Sequence, residues 1–272
     1  MDARRFRFGA VVAAEDGERW AATARRVAEL GYATLLTPDG PQLLSPFAAL
    51  AVAASVAPVR VGTFVAAAPL RPPRTVAWEA HSLTVLTGGR FEFGIGTGLP
   101  SAAEEARELG LSGGTGAQRL DQVVRAIGEL RARDGELRTP VLVAAGGPRA
   151  LAVAAEHADI VTFALGPLAG RDEFAAVVRQ LRAYAGGRAD QLELSANVFV
   201  VGDEIPARLQ RFVGADLRAL VEHGSLTLLR GTTQEMADEL QRRRDELGTS
   251  YVTVNGAFLE RFAPVVELLD GR

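Results

Sequence analysis

Three stretches hold the residues best placed to do chemistry. In the first, Gly94-Ile95-Gly96-Thr97-Gly98, every second residue is glycine, and it continues an apolar run from Phe91 to Ile95. Glycine at a strand end lets another group approach the backbone, because no Cβ intervenes. A flat ring or a phosphate would use such a loop; so would a tight corner between strand and helix. The spacing fails as a dinucleotide fingerprint, which needs glycine three residues after its second, where Leu99 stands. The second stretch is Gly146-Gly147-Pro148-Arg149. A strand, two glycines and a helix opening on proline present free N–H groups and a positive helix end to an anion, with Arg149 as a further phosphate contact. A plain turn with an exposed arginine has the same sequence. The third is Pro38-Asp39-Gly40-Pro41, in which Asp39 is either a site acid or acceptor, or simply a turn residue.

Other chemistries are excluded by what the chain lacks. Its 272 residues include no Cys, and all 30 basic residues are Arg. There is thus no thiolate nucleophile, no Cys-bound metal and no Schiff-base lysine. His81, His157 and His223 have no partner at metal-ligand spacing, so no metal site is expected. Glu79 reads as an exposed or helix-pairing carboxylate, and Arg71, set among prolines, as an anion contact or a solvated loop residue. A net charge of −3 argues against nucleic acid as a partner. Neither a signal-like apolar region nor a run of 18 apolar residues is present, and Met1 to Arg5 lead straight toward a strand. These features point to a cytoplasmic protein without membrane contact.

The elements that must position these residues follow from the apolar periodicity. Strands are expected at Phe6–Val12, Ala33–Thr37, Val59–Val65, Phe91–Ile95, Val141–Ala145, Ile160–Ala164, Leu192–Val201 and Tyr251–Val254. Helices alternate with them. Thr115-x-x-Gln118 and Thr232-x-x-Glu235 are capping boxes, and one helix is expected over Pro206–Val221 before the one that starts at Thr232. Eight strands alternating with helices, without a linker, predict one (β/α)8 barrel over residues 1–272, with an open doubly wound sheet as the rival. In a barrel the site lies at the C-terminal strand ends, where all three stretches fall.

Arg5-Phe6-Arg7-Phe8-Gly9, Gly31-Tyr32 with Pro38-Asp39, Arg60-Val61-Gly62-Thr63 and Leu86 to Gly96 together resemble the luciferase-like monooxygenase superfamily, in its branch dependent on the deazaflavin coenzyme F420. Gly146 to Leu151, Glu246 to Val252 and Ala263 to Val266 extend the resemblance over nearly the whole chain. It implies a luciferase-like TIM barrel that transfers a hydride between F420 and a small, largely apolar substrate. An FMN-dependent monooxygenase and a catalytically silent partner subunit are the alternatives. It implies a homodimer, and a ring stacked on a bulge with a non-proline cis peptide at Phe64-Val65. The phosphate would lie over Gly96-Thr97-Gly98 and Gly146, Gly147 and Arg149. Asp39 would be the acid nearest the ring. The chain departs from the family pattern at Gly40, Ala68 and Leu99, where side chains able to move protons are common. Leu99 is expected to point to the ring pocket rather than into the barrel core.

Overall fold

In each barrel strand, successive side chains point alternately to the helices and to the barrel axis. The computed structural model of the protein describes residues 4–271, so the reading of Met1, Asp2 and Ala3 lies outside it. The first half of the chain runs β1 (Arg7–Val11), α1 (Gly17–Glu29), β2 (Thr34–Thr37), α2 (Pro46–Val56), β3 (Arg60–Thr63), β4 (Ala66–Ala67), α3 (Pro73–Leu86), β5 (Phe91–Gly96), α4 (Ala102–Glu108) and α5 (Gly116–Asp134). Then come β6 (Val141–Ala145), α6 (Pro148–His157), β7 (Ile160–Phe163), α7 (Arg171–Ala185), β8 (Glu193–Val198) and β9 (Val200–Val201). The chain ends with α8 (Ala207–Val213), α9 (Leu217–Glu222), β10 (Leu228–Leu229), α10 (Thr233–Leu247), β11 (Thr249–Asn255) and α11 (Leu259–Leu269).

The ring β1–β2–β3–β5–β6–β7–β8–β11 is parallel throughout and returns to β1. Pairing of β3 with β5 closes it, which rules out the open sheet. Local chemistry sets the helix starts. Asp16 accepts the Glu18 and Arg19 N–H groups ahead of α1, and both capping boxes form as read.

Three expectations change. The long seventh strand divides: β8 stays in the barrel, while Phe199 and Val200 both donate to the Thr227 carbonyl and β9 pairs with β10 outside it. The helix expected over Pro206–Val221 is two helices. Gly214 adopts a left-handed φ of 70° that ends α8, and Asp216 caps the restart at α9. Helix α4 had no counterpart in the reading; only Ala102 and Ala106 of its seven residues are buried, too weak a stripe to find.

The outward faces of the strands form the main core with the helices, including Phe8, Leu35, Val61, Phe91, Phe93 and Val252. The inward faces stack in layers. At the N-terminal end Arg7 binds Glu193 through Nε and Nη2 (2.9 and 2.7 Å) and Glu92 through Nη1. Arg60 adds a bond to Glu92 at 3.0 Å, and the Tyr251 hydroxyl donates to the same carboxylate at 3.3 Å. The Arg7 guanidinium lies 3.6 Å from the Tyr251 ring centre. Two carboxylates thus neutralise two guanidiniums inside the barrel. Above them Leu36, Leu142, Ile160 and Tyr251 fill the axis. Gly62 makes room, since a Cβ there would stand 2.8 Å from Leu36. At the C-terminal end Val11, Phe64, Val65, Ala144, Asn197 and Asn255 stay half-buried. One end of the barrel is plugged by an ion cluster and the other is open.

Candidate functional site

Strands β3 and β4 are one strand with an interruption. Gly62 pairs with Glu92 and Ala66 with Ile95, so four steps on one strand match three on β5. The extra residue makes a bulge at the open mouth. The Phe64–Val65 peptide there is cis, at the position the family resemblance implied. Phe64 N–H donates to the Thr37 carbonyl at 2.8 Å, and the Thr63 hydroxyl to the Gly94 carbonyl at 2.6 Å.

The glycines of β5 serve this bulge. A Cβ on Gly94 would collide with the Thr63 carbonyl, and one on Gly96 would stand 3.0 Å from Val65 and 3.3 Å from Ala144. The group that approaches their backbone is the chain itself. Gly98 has a φ of 80°, and a Cβ there would lie 2.5 Å from Ala102 at the start of α4. Helix α4 rests through Ala106 on Ala67 and Leu70. Thr97 and Gly98 are half-buried, while Leu99 is 75% exposed and clear of the barrel core.

Gly146 and Gly147 differ from each other. Gly146 lies against the Ala164 carbonyl, whereas around Gly147 no atom stands within 4 Å of a Cβ position. Gly147 caps α6 with backbone alone, its carbonyl accepting from Leu151 N–H at 2.9 Å. Gly147, Pro148 and Arg149 are exposed, so the first N–H groups of α6 and the guanidinium face open space together.

Asp39 sits beside the bulge with its side chain 2% exposed. Its carboxylate accepts the Ala67 N–H at 3.0 Å and both Nη groups of Arg71 at 2.6 and 3.2 Å. Arg71 is therefore no solvated loop residue: it also pairs with Glu79 at 3.3 Å and lies over the Phe47 ring. Burial pushes the Glu79 carboxyl above its usual range; Arg71 opposes that and nearby Asp39 reinforces it. This network ties the β2 end, the bulge and α3 together.

The opposite wall escaped the sequence reading. Thr162 on β7 and Thr253 on β11 donate their hydroxyls to Asn197 Oδ1 on β8, at 3.1 and 2.8 Å. Below Asn197 on the inner face, the buried Ser195 hydroxyl has no partner among the described residues. Polar residues at inward positions of three neighbouring strands were the available signal, but their adjacency depends on barrel register. Counted around the ring, β8 stands four strands from β3 in either direction. The amide wall and the bulge face each other across the mouth.

Among the described residues no group of three His, Cys, Asp or Glu could hold a metal, and no helix is long and apolar enough to cross a membrane. No curated protein sequence matches the chain. Solved structures do. An F420-dependent secondary alcohol dehydrogenase in complex with an F420–acetone adduct has a TM-score of 0.76 at 14% identity, over 96% of this chain and 99% of that one. A riboflavin lyase with modified FMN and riboflavin has a TM-score of 0.74 at 14% identity, over 97% of this chain and 92% of that one. The coenzyme F420-dependent tetrahydromethanopterin reductase from Methanopyrus kandleri has a TM-score of 0.71 at 14% identity, over 98% of each chain. Identities this low establish the barrel and nothing finer. The family is set by a separate finding, a match to the luciferase-like monooxygenase model across residues 5–262. A chain matched over nearly its whole length, with the bulge and closed barrel just described, belongs to the luciferase-like monooxygenase family.

Proposed function

We propose that this chain is an oxidoreductase that binds F420 at the barrel mouth and acts on a small, largely apolar organic substrate; FMN is the alternative cofactor. The observation that carries the reading is the open mouth itself. The Phe64–Val65 bulge forms one half-buried apolar shelf there, and the uncovered start of α6 at Gly147–Arg149 lies at the same end. A planar ring with an anionic tail suits that pairing. Family membership and neighbours described with F420 or FMN support it.

In this reading Phe64 and Val65 back the ring, and Gly147, Arg149 and the first N–H groups of α6 hold the phosphate. Bound F420 would supply the hydride chemistry. Gly96, Thr97 and Gly98 act indirectly, since Gly96 and Gly98 make room for the bulge and α4. Asp39 positions the bulge rather than delivering a proton, because its oxygens are taken up by Arg71 and Ala67. Leu99 and Ala68 bring no proton donor to the mouth. That shortage favours a second reading, a barrel that binds cofactor or partner without turnover.

Titration of the purified protein with reduced and oxidised F420 and with FMN tests the assignment. F420 is expected to bind most tightly. Arg149→Ala should weaken binding about ten- to a hundredfold, the worth of a charged phosphate contact of roughly 1.5–3 kcal/mol, with stability unchanged. Binding of neither cofactor would discard the oxidoreductase reading.

The partner proposal is a second copy of the chain, docked through α2 and α3. Helix α2 carries no charged residue and packs against α3, and Val52 of α2 and Trp78, Val85 and Leu86 of α3 are exposed. Small Ala48, Ala51 and Ser55 on α2 let a partner helix approach closely, as a self-complementary pair requires.

A further inference from the structure

Asn197 is oriented without being used. Both neighbouring hydroxyls donate to its Oδ1, which turns the amide NH2 away from them, and the side chain is half-buried at the open mouth. An oxygen that accepts two bonds from buried threonines, 3% and 1% exposed, holds the amide in one orientation. No acceptor among the described residues meets the NH2 group. One inward position lower, the fully buried Ser195 hydroxyl also lacks a partner, and a buried orphan of this kind marks a place where water or ligand belongs. Elsewhere on the inner face at the mouth Val11, Val65, Gly96 and Ala144 are apolar or small, and Asn255 on β11 has its Oδ1 engaged by the Ala257 N–H at 3.0 Å.

We infer that Thr162, Asn197 and Thr253 form an acceptor-binding wall, with the Asn197 amide donating to a carbonyl oxygen of the substrate. This rests on the cofactor reading above in one respect: a ring on the β3–β4 bulge leaves the substrate between ring and β8. The substrate class is then a largely apolar body bearing a carbonyl, and not a hydrocarbon or an alcohol. An amide that offers two donors favours an acceptor, while its carbonyl, already doubly engaged, has little left for a hydroxyl donor.

The test uses three probes of one shape, 1-tetralone, 1-tetralol and tetralin, titrated by ligand-detected NMR against the whole protein with and without F420. The parent should bind the ketone about tenfold more tightly than the hydrocarbon, and more tightly than the alcohol. Asn197→Asp keeps the shape and the two threonine bonds but turns a carboxylate oxygen to the mouth. It should reverse the ketone-over-alcohol preference. Thr253→Val frees the amide to turn and should erase the preference while leaving the hydrocarbon unaffected. A ketone preference that survives Asn197→Asp, a parent that prefers the alcohol, or no binding of any probe would overturn the inference. Asn197-dependent ketone binding in a protein that takes up neither F420 nor FMN would uphold the wall and discard the cofactor reading. Cofactor binding with probe selectivity blind to Asn197 would do the reverse.

Discussion

Asp39 illustrates how partners decide what a residue can do. A lone aspartate after a strand reads equally as an acid or a turn former. With Arg71 on two oxygens and the Ala67 N–H on one of them, it becomes the clasp of the bulge. Asp39→Asn keeps a single acceptor oxygen and leaves Arg71 with Glu79 alone as an anionic partner. We expect a loss of about 1–3 kcal/mol in urea unfolding, the usual cost of disrupting a buried charged bond. Cofactor affinity should fall with it, because the bulge is held less firmly. An Asp39→Asn variant with parental stability would show that the clasp carries no weight. The same logic applies to Gly94. Its lack of a side chain was legible as permission for close approach, but the beneficiary is the Thr63 carbonyl across the barrel strand, not a ligand.

Between elements, α3 and α5 are joined by a clasp toward their C-terminal ends. Asp134 at the end of α5 has a fully buried side chain that meets His81 Nδ1 at 2.8 Å and accepts the Thr139 N–H at 2.8 Å. Thr139 in turn shares a 2.6 Å hydroxyl bond with Thr84 of α3. Burial pushes the Asp134 carboxyl upward, but the bonds from Thr139 and His81 outweigh it and hold it below the usual range. A carboxylate whose folded value is lowered adds stability above its unfolded value of about 4. That contribution is lost as pH falls through the folded value. Unfolding free energy should therefore drop on acidification more steeply in the parent than in Asp134→Asn. Parallel pH profiles for the two proteins would refute the clasp. His81, Asp134 and Thr139 are each unremarkable in the sequence, since the first lies 53 residues from the second. Helix packing alone brings them together.

Over the whole molecule, polarity is unevenly spread. The barrel axis holds charges at one end, and α2 and α3 leave Val52, Trp78, Val85 and Leu86 uncovered on the surface, the last 77% exposed. Sedimentation should find the parent dimeric at micromolar concentration, with Val52→Arg and Trp78→Arg together giving a folded monomer. A monomeric parent would remove the dimer proposal. What the sequence determined by itself is whatever depends on near neighbours. The positions of the eight core strands follow from apolar runs, the starts of α5 and α10 from their capping boxes, and the glycine-ended β5 from its own spacing. The expected placement of the site at the strand ends follows from the barrel those elements predict. Only the tertiary structure decided which distant side chains meet. It assigned Gly94 and Gly96 to the bulge, Asp39 to Arg71, and Asn197 to Thr162 and Thr253. The reason is physical. Periodicity and capping are set within a few residues, whereas these contacts depend on register between strands and on one extra residue in β3–β4, neither of which leaves a local signature.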